Sequence, residues 1–197
     1  MSEPVTLAEA RAQVNIIDAG DTTFDTFLTS LIAPARATVE RISGFFWVAA
    51  SRTETFGSWG GDTHRLPSQR CNDQFLEIYR RPIASVDSVT YTDETGTDAT
   101  YDAFLAPVDR FPLRISPAID DTFPALGRGG RITVAYTSGA LDATSQEYLM
   151  GKRAMLLLIG HWFANREAVI ADLRAAVADV PWAVTELLSD LRPVSAF

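Results

Sequence analysis

"SVDSVTYTDETGTDATY", residues 85–101, reads as two strand-like halves around a polar turn. Val86, Val89, Thr90, Tyr91 and Thr92 are β-branched or aromatic, side chains that suit a pleated surface and lose freedom in a helix. The turn between the halves contains Gly96, which tolerates the backbone angles that tight reversals use. The stretch predicts an antiparallel hairpin, clearest over residues 91–101, and so a β-sheet in the middle of the chain.

Outward from the hairpin, the same composition recurs from about residue 51 to 136 in "TETF", "QFLEIY", "TYDAFL", "LRIS" and "RITVAYT". Turn clusters at 57–62, 93–98 and 127–130 separate these runs. Beyond them the period becomes helical. Thr6-Leu7-Ala8-Glu9 fits a capping box and predicts a short helix to about Val14. Asp21, Thr22 and Thr23 are candidate caps for a long helix near 23–43, ending at about Gly44. Its Phe24, Phe27, Leu28, Leu31, Ala35, Val39 and Ile42 recur at helical spacing on one face, while Pro34 predicts a kink or break. Thr144 or Ser145 caps a second long helix near 145–168, whose middle, "AMLLLIGHWF", is apolar on nearly every face and so suits the centre of a core. Pro181 starts a last helix with Trp182, Leu187, Leu188 and Leu191 as its apolar stripe, and Pro193 stops it. The predicted class is α+β: a helical core with short N- and C-terminal helices, packed with a small antiparallel sheet carrying long hairpin loops. One domain is expected over 1–197, with a flexible tail over about 191–197.

Composition narrows the function. A hydrophobic fraction of 47% and a charged fraction of 21% are those of a folded globular chain. The first ten residues carry neither a basic nor an apolar segment of the secretory kind, which predicts no export by that route. The apolar run at 154–163 is shorter than the roughly 20 residues a membrane span needs. Cys71, the single cysteine, excludes an intramolecular disulfide and a multi-cysteine zinc site, and suits a reducing compartment. The net charge of −8 is uneven: residues 51–86 hold five arginines against four acids, and residues 87–139 hold eight acids against four arginines. Such a chain lacks the clustered cations that grip a phosphate backbone, although DNA passing by is compatible with it.

The candidate chemistry is thin. His161 and Glu167 in "HWFANREAV" are six positions apart, about 240° around a helix, so they cannot form an acid/base pair within it. The segment reads instead as the exit of the central helix, with His161, Trp162 and Phe163 in or against the core. Asn165, Arg166 and Glu167 then emerge where a loop or a neighbouring subunit can meet them. His64 and Cys71 with Asp62 and Asp73 match neither a zinc pattern nor a nucleophile signature. A Cys/His hydrolase built on Cys71 and His64 is one alternative function, and a monomeric small-molecule-binding module is another. "GSWGG" and "GRGGR" lack the Lys-Ser/Thr of a phosphate loop and read as turns, with Arg128 and Arg131 exposed. No cofactor, metal or catalytic residue is predicted.

"YRRPIASVDSVTYTDETG" (79–96), taken with "VTLAEARAQVNI" (5–16), "VERISG" (39–44), "ITVAYTSG" (132–139), "LLLIGHWFANREAV" (156–169) and "PWAVTELLSDLRP" (181–193), resembles, in order along the chain, the head–tail connector (adaptor) proteins of long-tailed bacteriophages and gene transfer agents. The resemblance covers nearly the whole sequence. It implies a structural virion protein, not an enzyme: a homo-oligomeric ring, typically of twelve copies, assembled in the bacterial cytoplasm below the portal at the head–tail junction. Such a ring extends the DNA channel, lets DNA pass without specific binding, involves no membrane, and meets a stopper or other tail-proximal protein. The portal contact is expected on Leu191, Arg192, Pro193, Val194, Ser195, Ala196 and Phe197, and subunit or loop contacts on Asn165, Arg166 and Glu167.

Overall fold

The computed structural model describes residues 3–18, 20–60, 75–165 and 181–191. These form two compact units, one made of the residues up to Val48 together with those from Leu141 onward, the other of Ala49–Ala140. All the described helices lie in the first unit: α1 (Leu7–Gln13), α2 (Asp25–Ser43), α3 (Gln146–Ala164) and α4 (Trp182–Ser189). The second holds the strands β1 (Ala50–Phe56), β2 (Leu76–Ile78), β3 (Ile83–Thr92), β4 (Asp98–Thr100), β5 (Phe104–Leu105), β6 (Leu113–Pro117) and β7 (Ile132–Ser138). None of the described helices is long and apolar enough to cross a membrane.

In the helical unit the predicted capping box forms: the Thr6 hydroxyl accepts from the Glu9 amide, and the Glu9 carboxylate accepts from the Thr6 amide. Lys152 on α3 reaches Glu9 at 2.7 Å, tying the start of α1 to α3. α2 buries Leu28, Ile32, Ala35 and Val39 at helical spacing and closes on Gly44, whose φ of 76° is the left-handed conformation glycine adopts without strain. Two expectations for α2 need correction. Its first turn has no side-chain cap, because the Asp21 carboxylate accepts from the Thr23 amide, upstream of the N-cap residue Phe24. The helix also runs unbroken through Pro34, which lies with Ser30 on the exposed side, where the carbonyl that proline leaves without a donor faces solvent. α3 starts at its Ser145 cap and threads Ala154, Met155, Leu158 and Ile159 into the core, as its sequence predicts. It ends at Ala164, short of the predicted 168, where Asn165 takes the capping position. In α4 the buried stripe is Val184, Leu188 and Leu191; Trp182 lies outside it and is 78% exposed, contrary to expectation. Helical geometry explains this, since Trp182 is two positions from Val184 and so about 200° around the axis.

Among its described residues the strand unit has two antiparallel sheets where one is expected from sequence. The larger has the order β1-β7-β3-β4 and the smaller β2-β6-β5. The predicted hairpin is β3–β4, with Thr92 opposite Asp98, Gly96 at φ 83°, and the Asp93 carboxylate accepting from the amides of Thr95 and Thr97. "GSWGG" does more than turn. Trp59 is buried, stacks on Phe123 with ring centroids 4.2 Å apart, packs against Tyr91 and Tyr101, and donates from its indole to the Pro124 carbonyl. Gly127 in "GRGGR" is required by close approach, since a Cβ there would lie 2.1 Å from the Asp93 carbonyl oxygen.

Burial pushes the Glu54 carboxyl on β1 above its ordinary value, with Arg80 pulling the other way. The folded state then holds this proton more tightly than the unfolded chain. The resulting stability is present at low pH and is lost as pH rises from the unfolded to the raised folded value. Glu54→Gln is therefore expected to raise the melting temperature over the native protein at about pH 7 and to lose that advantage at about pH 4. An advantage of equal size at both pH values would contradict the assignment.

Candidate interaction surfaces

The smaller sheet presents an unusual outward face. Leu76 and Ile78 on β2 and Leu113 and Ile115 on β6 point into the core, so the alternating Phe75, Glu77, Tyr79 and Arg114 lie on the opposite face, where the Glu77 side chain is itself largely covered. Arg114 pairs with Glu77 at 3.0 Å and lies over the Phe75 ring at 4.7 Å. At the rim, Arg81 lies over the Phe111 ring at 4.6 Å, and Tyr79 packs on the same ring edge-on. Of eight large apolar side chains exposed among the described residues, five surround this small sheet: Tyr79, Leu105, Val108, Phe111 and Ile119. That concentration singles it out from a surface that otherwise carries scattered apolar groups. Beside the same face lies a cavity of about 670 Å³, lined by Phe75, Pro107, Arg110, Arg114, Pro117 and Phe123 among others.

A second surface is the outward side of α4. Trp182, Glu186 and Asp190 follow one another at four-residue spacing, all exposed, opposite the buried Val184 and Leu188.

The residues singled out from sequence distribute as follows. Asn165 caps α3: its amide and its side-chain nitrogen both donate to the His161 carbonyl, and the side chain also lies 3.2 Å from His161 Nδ1. His161 is exposed, not against the core, because the buried positions 155, 158, 159 and the half-buried 162 define a stripe that 161 lies outside. Leu191 is a core residue, 5% exposed, packed among the helices. Arg192–Phe197, Arg166, Glu167, Asp62, His64, Cys71 and Asp73 lie outside the described residues. Among those described, no three His, Cys, Asp or Glu side chains gather as metal ligands. The buried Tyr101 hydroxyl has no hydrogen-bond partner among them; burial and the nearby Asp121 charge raise its pKa, so it stays protonated. Arg11 binds one Asp25 oxygen at 3.2 Å, an ion pair that fixes the start of α2.

No family model and no curated protein matches the sequence. Solved structures do. The fold is similar to one found in the neck of a gene transfer agent particle. A chain in the neck of an empty particle, computed with C6 symmetry, matches with a TM-score of 0.68 at 18% identity, over 100% of this chain and 95% of that one. A chain in the virion of a native gene transfer agent particle gives 0.66 at 18% identity, over 98% and 92%. A chain in the native neck computed with C12 symmetry gives 0.63 at 18% identity, over 100% and 94%. At this identity the likeness is one of fold.

Neither surface is among those expected from the sequence. β2 has three residues and β5 two, too few for a period to define a sheet face. For α4 a signal existed: a helical wheel separates Trp182, with Glu186 and Asp190, from the stripe through Val184, Leu188 and Leu191.

Proposed function

We propose that this chain is a structural component of the neck of a bacteriophage or gene transfer agent particle, forming a ring below the portal that extends the DNA channel and joins the head to the stopper or tail. The observation that carries the reading is the likeness of fold, along the whole chain, to chains of gene transfer agent necks. The C12 symmetry of one of those necks favours a twelve-copy ring, and the ordered sequence features described above favour the same role. The acidic balance suits a conduit, because each phosphate held by a cation on the wall would retard transit. The role is structural and calls for no catalysis and no cofactor, and the ring contacts itself, the portal, and a stopper or other tail-proximal protein.

The portal contact is assigned to Leu191–Phe197, of which Leu191 is buried among the helices. Because Leu191 is buried, the informative truncation ends at Leu191 instead of removing it. That truncated protein is expected to keep its melting temperature and to lose co-sedimentation with purified portal. Undiminished portal binding would contradict the assignment.

A further inference from the structure

A ring in which each copy meets the next head-to-tail needs two different, complementary surfaces on one chain. The cavity beside β2 and β6 and the outward face of α4 have the required chemistry. The α4 face offers an indole that is 78% exposed, with two carboxylates and no cation at the following four-residue steps. The cavity offers two phenylalanine rings, two prolines and two arginines, with Asp121 on its wall. Arg114 is already paired with Glu77, whereas Arg110 has no ion-pair partner among the described residues. A cavity of about 670 Å³ has ample room for an indole side chain. Tryptophan and arginine are also the residues that most often anchor interfaces, the first through the large area it buries and the second through charge-assisted hydrogen bonds.

We propose that the outward face of α4 in one copy docks into the cavity beside the smaller sheet of a second copy, with Trp182 entering between Phe75 and Phe123 and Glu186 meeting Arg110. This rests on the ring reading above. The exposed Tyr79 and Phe111 at the rim then lie beside the contact and exclude water from it. A second copy is favoured over another neck protein because both halves of the contact are present on this one chain, which a closed ring of identical subunits requires.

Disulfide trapping between purified copies tests the contact. With the native cysteine removed (Cys71→Ser), one variant carries Ala183→Cys, next to Trp182, and another carries Thr122→Cys on the cavity wall; both positions are exposed, so the fold tolerates them. Mixed and oxidised, the two are expected to form the mixed disulfide about tenfold faster than either forms a disulfide with itself, the factor that about 1.4 kcal/mol of contact energy produces. Adding Trp182→Ala to the first variant, or Arg110→Glu to the second, is expected to return the rate to background. A mixed disulfide no faster than the self-disulfides, or one indifferent to both substitutions, overturns the proposal and leaves α4 and the cavity to other partners. The ring reading fails separately, if the chain is missing from particles, so the two outcomes are distinguishable.

Discussion

Gly151→Ala is expected to destabilise the helical unit by about 2 kcal/mol or more, within the range that overpacking a well-filled core costs. A Cβ at Gly151 would lie 1.9 Å from Trp47 Cζ2 and within 2.7 Å of two more atoms of the same ring. The ring has little freedom to withdraw. Trp47 is 3% exposed, its indole nitrogen donates to the Tyr148 carbonyl at 3.3 Å, and its backbone amide donates to the Glu40 carboxylate at 3.2 Å. The sign of the effect is diagnostic. Alanine is the better helix former by about 1 kcal/mol, so without the close approach the same substitution would stabilise α3. Thermal denaturation of Gly151→Ala therefore reads the contact directly: a fall in melting temperature is expected, and a rise would mean that Trp47 does not pack on α3 as described. Adding Trp47→Leu should recover part of the loss, giving the non-additivity that residues in contact show.

Glu40→Ala is the second large effect. Its carboxylate is buried, and one oxygen accepts from both the Arg36 guanidinium and the Trp47 amide at 3.2 Å. Arg36 also binds Glu3 at 2.7 Å, so it keeps a counter-charge when Glu40 is removed. The main loss is the Trp47 amide, a buried donor left without its acceptor, which costs about 1–3 kcal/mol. Glu40→Gln retains an acceptor oxygen and is expected to lose less than half as much. Equal losses in the two variants would mean that charge, not the hydrogen bond, is what Glu40 contributes. The same amide anchors the ring that packs on Gly151, so Glu40→Ala combined with Gly151→Ala should cost less than the two losses added together.

These two positions show what was legible in the sequence. The helices were readable because each carries its own boundary chemistry: Thr6 with Glu9, Ser145, and Gly44 are local signals that need no tertiary context. The β3–β4 hairpin was readable for the same reason. Gly151 was not, since a glycine inside a helix looks like a small loss of propensity until the residue packed on it is known. That residue, Trp47, lies far away in sequence on the other side of the strand unit. Pro34 misled in the opposite direction: its cost depends on whether the carbonyl it leaves without a donor meets water, and that depends on which side of α2 is packed. The division of the strands into two sheets was equally hidden. Among the described residues β2, β5 and β6 pair only with one another, and such pairing is a property of register between distant segments, not of any one segment's composition.

For the candidate surfaces the balance is different. The ordered family-like pattern pointed to a neck component without any site, and helix geometry removed the acid/base reading of "HWFANREAV". What the pattern lacked was a surface. The arginine-lined cavity emerges only when burial is known, because a phenylalanine in sequence reads first as core; the α4 face has a helical-wheel signal, which burial then makes decisive.

Imaging of the particle decides whether this chain is the neck component proposed above. In particles purified from cells that encode the chain, cryo-electron microscopy of the head–tail junction is expected to show density for this fold, in a symmetric ring directly below the portal, with the chain present in the particle's protein content. Particles with an ordered neck in which the chain is absent, or in which the ring below the portal has a different fold, would rule out the neck role.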